Sequence, residues 1–377
     1  MLEKKESQKS IKVGVLMPQS TEYPKARINF VNGIKLYFTL FENKFQRGKV
    51  ELIIEDIGFG TNTLVNEKAH KLLVEDQVNL IVGHMGSSTA VELAQMLSQV
   101  EIPVLISNLG EGAIKTDSIP ENLYFNTFQF WQSYFHLGQY LASNFKRDWI
   151  LISSLYDSGY DPLRAFRVGL QTNGAHINNE IYLNAHEVGD LIIEFKSRIK
   201  SLEGLTPALF LPPSLLNQFV DTLDSSIDEM VITPFYNHDN PANKYWAFPG
   251  GTLTPSDPSF INGVQEYLDT TPDLFHVLGY RSGAMVYEAA QKLNAPKDDS
   301  INILNAWKGF TFQLGDEFFS VDQYTHELMG NIKIFKGQSS TKQSEVCSTV
   351  DANDIPKEII EEMTMTKAAF TNPYMFY

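Results

Sequence analysis

Ser87, Ser88 and Thr89 follow Gly83 and Gly86 directly, and Ser107-Asn108-Leu109-Gly110-Glu111 closes a later apolar run. Hydroxyls at a helix start satisfy orphan N–H groups, and the remaining N–H groups with the positive dipole end hold a small anion such as a carboxylate. That chemistry requires both segments at one edge of one sheet, and the surrounding stretch provides for it. Val78–Val82 and Ile102–Ile106 read as buried parallel strands. Between them Ala90, Leu93, Ala94 and Leu97 recur at helical spacing, so the connection is an amphipathic helix, capped by at least one of the two serines. The second strand delivers 107–111 to the carboxyl edge, where open α/β sheets bind ligands.

Aromatic and acidic side chains gather at other expected strand ends. Tyr23 follows the first strand; Tyr156, Asp157 and Tyr160 follow a strand at Trp149–Ser153; Phe235 and Tyr236 follow one at Met230–Thr233. Together they read as the walls of a cleft between two sheets. Tyr245 and Trp246 fall in the stretch 237–258, whose Pro, Gly and Asn content reads as a loop or hinge.

Catalytic and cofactor patterns are missing. Gly58-Phe59-Gly60 and Gly110-Glu111-Gly112 each lack the third glycine of a dinucleotide loop, and there is no phosphate loop or nucleophile elbow. The histidines are scattered without metal-ligand spacing, and Asn237-His238-Asp239 reads as a surface turn. No catalytic residue, metal or cofactor is expected, and the reading is of a binding protein rather than an enzyme.

Composition narrows the partners. The 377 residues, 43% hydrophobic, suffice for two cored domains. A net charge of −15 argues against nucleic acid and anionic membrane surfaces. The single cysteine, Cys347, excludes an internal disulfide. No apolar run reaches about 18 residues, so no membrane span is expected. MLEKKESQKS is polar and lysine-rich, unlike a signal peptide. A cytoplasmic protein and an exported one whose leader is not in the chain both remain open, and residues 1–10 would serve as a polar tether.

Along the chain, Ile11–Met17 is a strand, a helix carries Phe30, Ile34, Phe38 and Phe41 on one side, and Val50–Ile54 is a second strand. Strands and helices alternate strictly to about Phe128, which implies a doubly wound parallel sheet. The pattern restarts with a helix from Trp131 and strands at 149–153, 177–183, 207–211 and 230–233, separated by helices that include 188–199 and 214–223. Helices at 260–268 and 277–293, a β-ribbon over 310–319 and a last strand at 331–336 follow. Residues 337–354 read as a loose polar tail. A short helix then precedes FTNPYMFY, an aromatic end expected to dock on the protein's own body.

These segments resemble the type I periplasmic binding proteins, in particular the leucine/isoleucine/valine-binding branch of ABC transporter receptors. The likeness runs over about 11–336 and rests on KVGVLMPQS, GHMGSST with IPVLISNLGE, WILISSLYDSGYDPLRAFRVGL and LGYRSGAMVYEAAQKL. It implies that Ser87 holds a ligand carboxylate, that the Leu109 carbonyl meets a ligand amine, that Tyr160 reaches in from the second lobe and that Tyr23 closes over the ligand. Three departures stand out. Glu111 takes a position that is often Thr, Asp161 replaces the glycine that commonly follows the tyrosine, and no second-lobe acidic residue is evident near Tyr245 and Trp246. Glu111 or Asp157 is expected to supply that negative charge. A ligand without an α-amine, such as an amide, an aromatic acid or a small peptide, stays open.

The resemblance implies two doubly wound α/β lobes joined by a three-crossover hinge, with lobe one at 11–128 and 272–316, lobe two at 129–271 and 317–340, and a tail at 341–377. It implies a receptor that traps an amino acid or a related amide or acid by hinge closure and delivers it to an ABC permease in the periplasm. A cytoplasmic sensor of the same fold acting on a regulatory protein, and a doubly wound enzyme with an unrecognised site, are the alternatives.

Overall fold

The computed structural model describes residues 10–41, 50–145, 148–183, 205–212, 215, 216, 219, 229–233, 244–249, 257–293, 303–337, 344–365, 369, 370 and 372–374. Strand β1 (Ile11–Met17) leads to α1 (Ala26–Phe41), β2 (Val50–Asp56), α2 (Asn62–Val74), β3 (Leu80–His84), α3 (Ser87–Leu97), β4 (Val104–Asn108) and β5 (Leu123–Thr127). Val13, Val15, Leu16 and Met17 are all fully buried, as a strand covered on both faces requires. β1 pairs in parallel with both β2 and β3.

The chain then crosses to a second lobe through α4 (Phe130–Asn144), β6 (Asp148–Ser154), α5 (Asp161–Thr172), β7 (Ile177–Leu183), β8 (Leu205–Phe210), β9 (Met230–Val231) and β10 (Lys244–Pro249). It returns with α6 (Pro258–Leu268), α7 (Leu274–Leu293), β11 (Thr311–Leu314), β12 (Glu317–Val321) and β13 (Glu327–Gly330). It ends in β14 (Ile332–Gly337), β15 (Ser344–Val350) and α8 (Lys357–Met365) on the second lobe. The sheets run β11-β12-β13-β5-β4-β3-β1-β2 and β15-β14-β10-β9-β8-β6-β7. The two doubly wound lobes expected from the sequence are present.

Both lobes use one packing device. A Cβ on Gly279 of α7 would lie 2.0 Å from the Phe30 carbonyl oxygen of α1, and one on Gly169 of α5 would lie 2.1 Å from that of Phe135 in α4. Only glycine lets the helix backbones approach so closely. The first and last crossovers are also tied together. Gln129, in the left-handed region at φ 49°, accepts the Gly330 N–H on its side-chain oxygen at 2.9 Å.

The sheets place the lobe boundaries differently from the sequence expectation. α6 packs on α1, with Gly263 against Leu36 and Leu40, so lobe one resumes with α6 rather than at 272. β12 and β13 belong to the first sheet, so the last crossing falls at Asn331 rather than after 316. Tyr245 and Trp246 sit in β10, paired with β9 and β14, not in a loop. The Pro, Gly and Asn on either side had masked this short strand. The polar stretch expected to be loose contains β15, antiparallel to β14 at the sheet edge. Its mostly solvated side chains leave no apolar period to read. The helix expected at 188–199, most of that at 214–223, the Asn237-His238-Asp239 triplet and Tyr236 lie outside the described residues.

Candidate functional site

In each sheet the first strand of its lobe lies between its two neighbours in sequence: β1 between β2 and β3, and β6 between β7 and β8. Such a switch point opens a crevice at the carboxyl ends, because the following loops diverge to opposite faces. Tyr23 and the start of α3 lie at the first, and residues 154–161 at the second. The edges meet directly. The Glu111 carbonyl accepts the Asp161 N–H at 3.1 Å, and Asp161 Oδ2 accepts the Ala113 N–H at 2.8 Å. The lobes are shut on each other.

Of the expected site residues, Tyr23, Glu111, Tyr156, Asp157 and Tyr160 converge. Tyr23 is half-buried with its ring edge-on to Phe275 at 5.2 Å. The Glu111 carboxylate is 3% exposed and accepts the Leu109 N–H at 3.0 Å. Burial pushes its pKa up to about 7, against the opposing pull of the Glu111, Tyr374 and Leu109 backbone N–H groups. Asp157 is equally buried and also raised to about 7 by burial, while hydroxyls of Ser154 and Tyr374 donate to it. The Tyr160 hydroxyl donates to that of Tyr156 at 2.7 Å.

The α3 residues divide. The N-cap of α3 is Gly86, and no side chain caps the helix, because Ser87 already occupies the first helical position. The expected serine cap is therefore absent. Ser87 Oγ instead accepts from Asn108 Nδ2 at 3.2 Å. Ser88 is exposed, and Thr89 is buried and donates to Asn62 at 2.6 Å. The Leu109 carbonyl, expected to meet a ligand amine, accepts the Phe130 N–H at 3.1 Å as α4 begins.

Two features were not evident in the sequence. A cavity of about 940 Å³ lies beside the cleft, with Ser87, Asn108, Trp131, Gln132 and Glu327 on one side and α8 on the other. Glu327 is raised to about 7 by burial, and Thr127 and Gln132 donate to it. Asn108, Gly110 and Gly112 line this cavity, and in the cleft Tyr374 packs between the lobes. Tyr374 is 2% exposed, with its ring edge-on to Tyr160 at 5.0 Å and against Phe130 at 5.4 Å. The aromatic composition of the tail pointed to self-docking, but nothing local indicated where. Among the described residues no cluster of His, Cys, Asp and Glu could hold a metal, and no helix is long and apolar enough to cross a membrane.

The family model described as periplasmic binding protein matches residues 10–197. A Leu/Ile/Val-binding protein homolog 6 of Brucella abortus is 24% identical over 167 residues, 44% of this chain and 42% of that protein, so less than half of the relative's length is matched. A solute binding protein of an ABC transporter from Rhodopseudomonas palustris, in complex with 3,4-dihydroxybenzoic acid, superposes with a TM-score of 0.73 at 21% identity, covering 91% of this chain and 98% of that one. A branched-chain amino acid transporter substrate binding protein from Streptococcus pneumoniae, in complex with isoleucine, gives 0.67 at 14% identity over 91% and 100%. These likenesses lie with transport solute-binding proteins rather than enzymes. Residues 10–197, just under half of the chain, match the periplasmic binding protein family model, and the fold is that of the type I periplasmic binding proteins, with a likeness to their leucine/isoleucine/valine-binding branch.

Proposed function

We propose that this protein is a solute receptor that traps an amino acid, or a related amide or acid, between its lobes and hands it to an ABC permease outside the cytoplasmic membrane. The observation that carries the reading is that Glu111, just past β4 of lobe one, and Asp157 with Tyr160, just past β6 of lobe two, are buried where the carboxyl edges of the two sheets meet. Neighbours of the same fold hold isoleucine in one case and 3,4-dihydroxybenzoic acid in another, and both ligand types fit a cleft with aromatic walls and carboxyl groups. Tyr23, Glu111, Tyr156, Asp157 and Tyr160 are assigned to the ligand, and Ser87 to the adjoining cavity.

The raised carboxyl groups define the chemistry. A ligand ammonium ion stabilises ionised Glu111, so it binds with release of a proton, whereas a hydroxyl or amide hydrogen-bonds to either form. A thermal-shift panel of amino acids, amides and aromatic acids tests the reading. At about 100 times its dissociation constant, a bound solute stabilises the fold by roughly 2.7 kcal/mol. Glu111→Gln should weaken an amine-bearing solute by about 1.5–3 kcal/mol. A panel without any shift would remove the assignment.

A further inference from the structure

We propose that residues 369, 370 and 372–374 are a tethered occupant of the interlobe cleft, with Tyr374 holding the place of a free solute that carries a hydroxyphenyl group and must displace it. The proposal rests on the cleft reading above and names both the solute class and its built-in competitor.

The contacts of the segment are those of a clasped ligand. In lobe two, Ala369 donates its N–H to the Gly159 carbonyl at 2.9 Å, and Phe370 stacks on Tyr156 at 5.0 Å. Asn372 Nδ2 donates to the Tyr156 hydroxyl at 2.8 Å, and its carbonyl accepts from Tyr160 at 3.1 Å. In lobe one, Pro373 lies against Gly60, and the Tyr374 N–H faces the Glu111 carboxylate. A tail lying on the surface of one lobe would not touch both.

Tyr374 defines the slot chemically. The ring stands perpendicular to Tyr160, at 89° and 5.0 Å, and its hydroxyl donates to Asp157. The cleft thus offers a flat aromatic slot with a buried hydroxyl acceptor at one end and a carboxylate near the backbone nitrogen at the other. A free molecule with a phenol, and with a donor where that nitrogen stands, fits the same groups. The leash is anchored outside the cleft, where Arg164 of α5 donates to the Glu362 and Met363 carbonyls at 2.6 and 3.3 Å. Release of the segment therefore need not unseat α8.

A docked segment lowers apparent affinity by the fraction of molecules left competent, so a tail docked nine times in ten costs a solute about tenfold. Tyramine, which carries a tyrosine's nitrogen, Cα, Cβ and phenol without the carbonyl, is the probe, and phenethylamine, without the hydroxyl, is the control. The full chain and its Tyr374→Ala variant are titrated with each by calorimetry, and hydrogen exchange is followed at 109–113 and 157–161 without ligand. The variant should bind tyramine about tenfold more tightly than the parent, prefer it to phenethylamine, and exchange faster in both segments. Equal tyramine affinity in the two chains overturns the proposal. So does faster exchange with no tyramine binding, which would make the tail a structural clasp; the receptor reading would then be judged separately by the wider panel. If Tyr374→Ala does not fold, Tyr374→Phe, which keeps the ring and loses only the hydroxyl, must show faster exchange and tighter tyramine binding or the proposal fails.

Discussion

The backbone carbonyl of Glu111, just past β4 in lobe one, accepts the backbone N–H of Asp161, at the first turn of α5 in lobe two, at 3.1 Å. Asp161 completes the link by accepting the Ala113 N–H on its carboxylate at 2.8 Å. Asp161 thus ties lobe two to lobe one through both its backbone and its side chain.

Removing that carboxylate should loosen the shut form. Asp161→Ala leaves the Ala113 N–H without its acceptor, a cost of about 1–3 kcal/mol. Hydrogen exchange at 111–113 should accelerate about fivefold or more while the β1 and β3 amides stay unchanged. Equal protection at 111–113 in both proteins would show that the latch does not hold the lobes.

Burial raises Glu111 and Asp157 to about 7 and Asp161 to about 6, all above their unfolded values. The folded protein therefore keeps protons that the unfolded chain has released. The stability these groups contribute is complete below about pH 4 and disappears as pH rises through 6 to 7. Melting temperature should fall between pH 5 and 8, and Glu111→Gln should flatten that slope. Calorimetric melts at several pH values decide, and an identical slope in the variant would contradict the assignment.

Arg164 closes the carboxyl end of α8 against α5, as a cation at a helix C-terminus does. Arg164→Ala should raise exchange across 357–365 with little change in the core strands. If α8 remains protected, its packing through Met363, Ile359 and Ile360 is sufficient alone.

The facing glycines set the distance between paired helices. Gly279→Ala in lobe one and Gly169→Ala in lobe two should each destabilise the protein by about 1–3 kcal/mol, read from urea unfolding. Gly112→Ala serves as the comparison, because φ there is not positive and an added Cβ would meet nothing closer than Ser87 Oγ at 3.8 Å.

Much of this architecture could be read from residue order. β1 and β7 fall where the apolar runs placed them, and α3 follows from Ala90, Leu93, Ala94 and Leu97, all fully buried. The failures have local causes. β15 carries polar residues on an exposed edge, and β10 is hidden among turn-forming neighbours, so neither shows a period. Ser87 looked like a cap because capping and the first helical turn favour the same residue types, and only the backbone of Gly86 distinguishes them. Tyr23, Glu111, Asp157 and Tyr160 could be placed at facing edges from residue order because strand ends in this topology face the crevice. Tyr374 was not placed because its partners, Asp157 and Phe130, lie over 200 residues away in sequence, as the 217-residue separation of its hydrogen bond to Asp157 shows.

The most direct test of the two-sided cleft is a calorimetric titration of the strongest-binding panel compound into the full chain, Glu111→Gln, Asp157→Asn and the double variant. The account predicts that each single change, one in each lobe, weakens binding by about tenfold or more, as loss of a hydrogen bond to a charged group does, and that the double variant binds more weakly still. Undiminished affinity in all three variants would place the solute elsewhere and contradict the account.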